Sequence, residues 1–268
     1  MLLESDVLRD AQPYLQKTFE RGDTGGMARA VREDGFALVP GVLSPEEVAD
    51  TRAALDRLRP FGFDRMGLTE HYKCVFNREP IWLNYLDRPG IVELAEALMG
   101  EQCHSIGESA WRCHPGHDNW GVHTDKIFMT LPESTFDDPE FELPVLICTA
   151  HYYLNDMTVD LAPTWVIPGS HKSGRSPKKG EEEWQGRKLE PVLCKAGDVL
   201  FFRSEIWHTG SPNKTESDIR YLLQVHYSHR DIAQKFSPFP FTINPEILAT
   251  ANPRQLRLLG KHPESAYG

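Results

Sequence analysis

The chain has little of what marks extracellular, membrane-spanning or nucleic-acid-binding proteins. Its 268 residues include only five cysteines, Cys74, Cys103, Cys113, Cys148 and Cys194, an odd and scattered set with no Cys-x-x-Cys pair. Reduced, buried thiols in a cytosol-like compartment are therefore expected rather than a disulfide framework. No stretch approaches 18 consecutive apolar residues, so no membrane span is expected. The opening Met1-Leu-Leu-Glu-Ser-Asp-Val7 has neither the basic nor the apolar region of a secretory leader, which points to a cytoplasmic protein. Basic side chains are in the minority, 29 Lys and Arg against 39 Asp and Glu, for a formal charge of −10. Binding phosphates takes clustered Lys and Arg, so nucleic acid and anionic membranes are not expected partners. No internal repeat or low-complexity stretch is visible.

What remains is an ordinary globular composition, 40% hydrophobic and 25% charged. A chain of this length buries roughly 70–75% of its extended surface on folding, enough for one large domain without metal or disulfide staples. The first hundred residues read mostly as helix. One short strand is expected in Asp34-Gly-Phe-Ala-Leu-Val-Pro-Gly-Val-Leu43, between two turn signals. Ser44-Pro-Glu-Glu47 matches a capping box with proline at the first helical position, opening a helix to about Arg59. After Pro89, the apolar spacing of Ile91, Leu94, Ala95 and Leu98 predicts a second helix that Gly100 closes. From about residue 105 the pattern changes to short β-like runs at 145–153, 164–167, 190–194, 199–202 and 219–228, divided by turn signals. Such spacing predicts an antiparallel sandwich or barrel. The polar segment 172–188 is long for a connection and reads as a functional lid or a disordered stretch. The reading is one domain over 1–268, with a mainly helical layer at 1–104, a β core at 105–230 and a tail at 231–268. A homodimer through the helical layer is compatible with it.

Eleven histidines are the informative surplus. Two His-x-Asp triplets occur, His123-Thr-Asp125 and His229-Arg-Asp231. On a strand, residues i and i+2 share a face, so one metal ion can take an imidazole and a carboxylate from such a pair. A third histidine from another strand makes the two-His-one-carboxylate triad of non-haem Fe(II) oxygenases, with open coordination positions. Only the first triplet has the required sequel. His208 follows the apolar run Gly197-Asp-Val-Leu-Phe-Phe202, and Arg220 comes 12 residues later, inside the next β run. A hairpin turning at Ser211-Pro212-Asn213 would bring Arg220 beside His208, where its planar fork suits a carboxylate near the metal.

These motifs, with Trp165-Val-Ile-Pro-Gly-Ser-His171 and His208-Thr-Gly-Ser-Pro-Asn213, resemble the phytanoyl-CoA dioxygenase family of Fe(II)- and 2-oxoglutarate-dependent oxygenases. Glu33-Asp-Gly-Phe-Ala-Leu-Val-Pro-Gly-Val-Leu-Ser-Pro-Glu-Glu47 resembles the family's opening, and Leu258-Leu-Gly-Lys-His-Pro-Glu-Ser-Ala-Tyr-Gly268 its end. The resemblance implies a mainly β fold with flanking helices around a double-stranded β-helix core of the jelly-roll or cupin-like type. It implies that His123, Asp125 and His208 hold Fe(II), that Arg220 pairs the distal carboxylate of 2-oxoglutarate, and that Thr164 adds a second hydrogen bond to it. It further implies that O2 is consumed, that 2-oxoglutarate is converted to succinate and CO2, and that an unactivated C–H bond is oxidised, by default to an alcohol. Related halogenases carry a small residue where Asp125 stands, so halogenation is not expected. One departure is Leu161-Ala162-Pro163-Thr164, where the family often has a polar residue followed by Gly-Pro-Thr. It bears on the local loop geometry and not on the metal site.

Other candidates receive plainer readings. His171 closes a Pro-Gly-Ser-His turn and reads as structural. Cys103, Cys113, His114 and His117 lack the spacing of a zinc site. The basic run of Lys172, Arg175, Lys178 and Lys179 is answered by Glu181, Glu182 and Glu183, as on a solvated face. Trp111, Trp120, Trp165 and Trp207 cluster in sequence around the proposed ligands and Thr164, and the expectation is that some of them line an apolar substrate cavity. Alternation from Arg220 puts Leu222, Gln224 and His226 on its face, which makes Gln224 and His226 pocket candidates. Lys73 is a further candidate, by resemblance to a segment bordering the site in relatives. The expected activity is oxidation of a small hydrophobic metabolite, with natural-product biosynthesis as the setting. The alternatives are an acyl-CoA hydroxylase of the same family, a non-catalytic module binding a metal or small carboxylate, and a metal-dependent hydrolase or isomerase. Arg220 at its distance from His208 counts against the last two.

Overall fold

The computed structural model describes residues 16–64, 67–118, 121–127, 129–138, 140–234 and 242–262. Helix α1 (Thr24–Glu33) leads into strand β1 (Phe36–Val39), and helix α2 (Pro45–Arg57) follows. The capping box is present: the Glu47 N–H donates to Ser44 Oγ at 3.2 Å, and the Ser44 N–H to Glu47 Oε2 at 2.8 Å. Strands β2 (Gly62–Asp64) and β3 (Thr69–Lys73) come next, then the short helix α3 (Leu83–Leu86) and helix α4 (Val92–Met99). Gly100 ends α4 with φ of +91°, a conformation that favours glycine.

The stretch read as mainly helical thus supplies three strands. The expectation missed β2 and β3 because their residues are mostly polar and carry no apolar alternation. Strands β4 (His104–Cys113), β5 (Ile147–Tyr153), β10 (Val199–Arg203) and β12 (Arg220–Ser228) complete a seven-stranded sheet in the order β1-β10-β5-β12-β4-β3-β2, all of whose pairings are antiparallel. Facing it is a second sheet of β6 (Thr164–Val166), β9 (Glu190–Pro191) and β11 (His208–Gly210), ordered β11-β6-β9. The strand expected at 190–194 is shorter than read. Two residues pair as β9, although the Val192 N–H still donates to Thr164 O at 2.8 Å. These facing sheets form the expected double-stranded β-helix core.

Alternation along the main sheet divides the interior in two. Tyr152, Phe201, Leu223, Val225 and Tyr227 face the helices and pack with Met27, Val31, Leu55 and Leu94. Tyr153, Leu200, Phe202 and Leu222 point the other way and meet Val166 and Val192 of the second sheet. At roughly 1.5–3 kcal/mol for each fully buried large apolar side chain, these two layers supply the main driving force for folding. Helices α5 (Pro245–Thr250) and α6 (Pro253–Leu258) close the helical side, contributing Ile247 and Leu258 to its core. No described helix is long and apolar enough to cross a membrane. The segment 172–188 is ordered. Strands β7 (Glu183–Trp184) and β8 (Arg187–Lys188) make a small hairpin within it, and Arg175 donates from both terminal nitrogens to Glu181 at 2.8 Å each.

The expected hairpin between His208 and Arg220 does not form. β11 belongs to the second sheet and β12 to the main sheet, so the chain crosses between layers instead of folding back within one. Asn213 fixes the crossing by donating from Nδ2 to Cys113 O at 3.0 Å and Asp218 O at 2.8 Å.

Candidate active site

His123 and His208 are locked together by their backbones before their side chains matter. Each N–H donates to the other's carbonyl at 2.9 Å, an isolated antiparallel bridge. The imidazole centroids lie 4.4 Å apart. His123 Nδ1 donates to Gly121 O at 2.9 Å, and His208 Nδ1 to Ile206 O at 3.0 Å. A carbonyl only accepts, so both rings carry the proton on Nδ1 and present Nε2 as a lone pair. Asp125 Oδ1 stands 3.5 Å from His208 Nε2, and one ligand atom from each of the three residues falls within 4.8 Å of the others. Donors bound at about 2.1 Å around one ion lie about 3 Å apart at right angles, so this set fits a divalent transition metal with little adjustment. Among the described residues it is the one such cluster.

The electrostatics agree with that donor set. Burial pushes the Asp125 carboxyl up, but the adjoining His208, with His226 and His151, more than offsets this and holds it well below the usual carboxylate range. Burial, followed by the His208 charge, pushes His123 down. Burial also works against His208, yet Asp125 outweighs it and raises the ring.

Across the same cavity of about 300 Å³ lies Arg220, with a relative exposure of only 7%. Its Nη2 reaches Thr164 Oγ1 of the second sheet at 3.4 Å, and its Nη1 lies 3.9 Å from Cys113 Sγ. Nε has no partner, and no carboxylate pairs with the guanidinium among the described residues. A buried, unpaired guanidinium is costly, and a small carboxylate ligand would satisfy it. The donor set and this orphaned cation together fit a metal and 2-oxoglutarate.

The remaining wall is polar and aromatic. Trp111 stacks on His71 at 3.6 Å between ring centroids and 9° between planes. Trp111 Nε1 donates to Gln224 Oε1 at 2.7 Å, and the Thr149 hydroxyl lies 2.9 Å from His226 Nδ1. The structure therefore brings Trp111, Thr164, Arg220, Gln224 and His226 to one cavity with His123, Asp125 and His208. Trp207 is elsewhere. It is fully buried against Trp184 and Ile167, and its Nε1 donates to Arg175 O at 3.0 Å. The reason is alternation, since the neighbour of a cavity-facing His208 on a strand faces away. Lys73 places its ammonium 4.8 Å from the Phe61 ring centroid and does not line the cavity. Trp120 lies outside the described residues.

The second triplet sits at the surface, with Asp231 86% exposed in its side chain and 3.6 Å from His229. His171 is buried and donates from Nε2 to Arg32 O at 2.9 Å. The four zinc candidates do not converge: His117 pairs with Thr69, His114 with Glu70, and Cys103 with Arg257. Ala162, within the Leu161-Ala162-Pro163-Thr164 departure, holds φ of +49°, a left-handed conformation that favours glycine. Five cavity residues went unanticipated: His71, Ser109, Cys113, His151 and Gly210. Every position of β5 is buried, so alternation did not single out His151, and β3 gave no strand signal from which to find His71.

The profile of the family described as Phytanoyl-CoA dioxygenase (PhyH) matches residues 31–221. Dioxygenase af480 of Aspergillus fumigatus is 26% identical over 211 residues, 74% of this chain and 64% of that protein, so the match spans just under two thirds of that relative. Fe(II)/2-oxoglutarate-dependent dioxygenase nvfF of Aspergillus novofumigatus is 25% identical over 238 residues, 80% of this chain and 74% of that protein. Among solved structures, the non-heme alpha ketoglutarate dependent epimerase SnoN from nogalamycin biosynthesis superimposes with a TM-score of 0.63 at 22% identity, covering 81% of this chain and 87% of SnoN. SnoN has also been solved with Fe3+, alpha ketoglutarate and nogalamycin RO. At that identity the likeness establishes the fold.

Proposed function

The chain belongs to the phytanoyl-CoA dioxygenase family of Fe(II)- and 2-oxoglutarate-dependent oxygenases, and from that premise we propose that it oxidises an unactivated C–H bond of a small hydrophobic metabolite, by default through hydroxylation. The observation that carries the reading is the buried Arg220, without a carboxylate partner among the described residues, across one cavity from His123, Asp125 and His208. His123, Asp125 and His208 would hold the iron, and Arg220 with Thr164 the distal carboxylate of 2-oxoglutarate. Bound together, iron, 2-oxoglutarate and O2 supply the oxidant for C–H cleavage. The protein's part is positional. The Nδ1 bonds of His123 and His208 fix both rings with Nε2 toward the ion. Asp125 stays ionised because His208 stands beside it, and the two packed sheets keep bulk water from the interior side of the site.

The substrate class follows from the walls. The stacked Trp111 and His71 offer a flat aromatic surface, which suits a ring-containing molecule. A CoA thioester carries several phosphate charges and calls for a basic mouth. This chain has a net charge of −10, and Arg175 of its basic run is already paired with Glu181. The preferred substrate is therefore a free hydrophobic or alkaloid-like metabolite of the kind handled in natural-product biosynthesis, not a CoA ester. A substrate screen coupled to succinate release, read by mass spectrometry for gain of one oxygen or loss of two hydrogens, tests the activity. Oxidation of a fatty acyl-CoA far faster than the free acid and every polycyclic metabolite tried would replace this substrate class with the acyl-CoA one.

A further inference from the structure

Three side chains on the main sheet decide where one proton sits. An indole N–H only donates, so the Gln224 atom 2.7 Å from Trp111 Nε1 is the carbonyl oxygen, Oε1. The Ser109 hydroxyl donates to that same oxygen at 3.0 Å. The Gln224 amide nitrogen is thereby turned toward His151 Nε2, 2.7 Å away. An amide nitrogen donates, so His151 Nε2 accepts, and the proton of the neutral ring sits on Nδ1. His151 Nδ1 is buried and meets no acceptor among the described residues, the same condition as Arg220 Nε. Both side chains line the cavity. Two buried donors without acceptors call for oxygen atoms from a ligand.

The sheet register says which ligand. His151 lies directly opposite Gln224, with Thr149 opposite His226 on one side of it and Tyr153 opposite Leu222 on the other. The Thr149 level touches the metal end, since its hydroxyl is 3.5 Å from Asp125 Oδ2. Arg220 lies beyond Leu222 at the other end of the row. His151 therefore stands midway between the metal ligands and the guanidinium, with Phe202 packed against both its ring, at 4.7 Å, and that of His208, at 5.1 Å. A dicarboxylate held at both ends passes this level.

We propose that His151 positions the cosubstrate by donating Nδ1–H to an oxygen of bound 2-oxoglutarate, in a tautomer that Trp111 and Gln224 impose. The proposal rests on the reading of this cavity as a 2-oxoglutarate site. Two variants test it on the anaerobic, Fe(II)-loaded protein by calorimetric titration with 2-oxoglutarate, alongside 15N NMR of the imidazole in the metal-free protein. His151→Phe is expected to weaken 2-oxoglutarate about 10- to 100-fold, the worth of one hydrogen bond to a charged group, with iron affinity unchanged. Gln224→Glu leaves residue 151 intact but has no amide hydrogen to give. Its proton is expected to move to His151 Nε2, turning Nδ1 into a lone pair against the cosubstrate oxygen and weakening 2-oxoglutarate at least as much. The NMR is expected to place the proton on Nδ1 in the wild type and on Nε2 in Gln224→Glu. A wild-type ring protonated on Nε2 overturns the proposal. So does a His151→Phe variant with unchanged 2-oxoglutarate affinity but a raised KM for the organic substrate, which would assign the donor to that substrate. Failure of the wild type itself to bind 2-oxoglutarate would overturn the underlying reading of the site together with this one.

Discussion

Replacing Arg220 by methionine separates what the guanidinium does for folding from what it does for binding. In the protein without cosubstrate, the group is buried, and among the described residues only the Thr164 hydroxyl at 3.4 Å and the Cys113 thiol at 3.9 Å keep it company. Such a charge opposes folding, and a side chain of similar length without charge relieves the opposition. Arg220→Met is thus expected to keep or raise the stability of the cosubstrate-free protein, by about 1 kcal/mol or roughly 2 °C in Tm. Toward 2-oxoglutarate the sign reverses. Truncating one member of a buried charge pair costs about 2–5 kcal/mol, which is about 30- to 4,000-fold in Kd. At 100 times its Kd, 2-oxoglutarate stabilises the wild type by about 2.7 kcal/mol, and the variant should lose from about two thirds to all of that shift. Arg220→Lys should recover only part, because an ammonium cannot reproduce the fork. Thermal unfolding under anaerobic Fe(II), with and without 2-oxoglutarate, reads both effects. A variant that melts several degrees lower alone, yet keeps the full 2-oxoglutarate shift, would make Arg220 a structural residue and refute the reasoning.

Removing a proposed metal ligand by His123→Ala or His208→Ala should abolish 2-oxoglutarate-dependent turnover while the circular dichroism spectrum is kept, because neither ring belongs to the two apolar layers; Asp231→Ala, at the exposed triplet, should retain nearly full turnover. Ala162→Gly should raise stability by about 0.5–1 kcal/mol in denaturant titration, since φ of +49° strains an alanine and not a glycine. Burial pushes His171 down to about 3, against about 6.5 in the unfolded chain. Its contribution is therefore complete above pH 6.5 and is lost as the pH falls from there toward 3, at up to about 1.4 kcal/mol per unit. His171→Gln should flatten the stability profile between about pH 6.5 and 4.5, as read by urea unfolding at several pH values, and parallel profiles would count against it.

How much of this the sequence discloses depends on whether a residue's role is local. The triad was legible because its residue types carry the chemistry wherever the strands meet, and β12 because Arg220, Leu222, Gln224 and His226 alternate with the apolar Tyr221, Leu223, Val225 and Tyr227. The hairpin failed because two strands adjacent in sequence joined different sheets, a choice made by layer packing and not by turn residues. Trp207 failed for a related reason: one residue from a ligand along a strand is the opposite face in space. His151 went unseen because β5 is buried on both sides, so every position from Ile147 to Tyr153 is covered and the period of two no longer separates inside from outside.

The polar residues inside those covered strands are the signal that composition hides. Thr149 and His151 on β5, with Arg220, Gln224 and His226 on β12, occupy a sheet face that apolar side chains would stabilise better. Four of these groups answer one another: Thr149 meets His226, and Gln224 meets His151. The atoms left over among the described residues, His151 Nδ1 and Arg220 Nε, are donors facing one cavity across which the proposed metal ligands lie. A face built only for folding would leave neither. Filling Arg220's place with methionine should therefore help the fold and harm the binding, and the opposite signs of those two effects distinguish a ligand site from an imperfectly packed core.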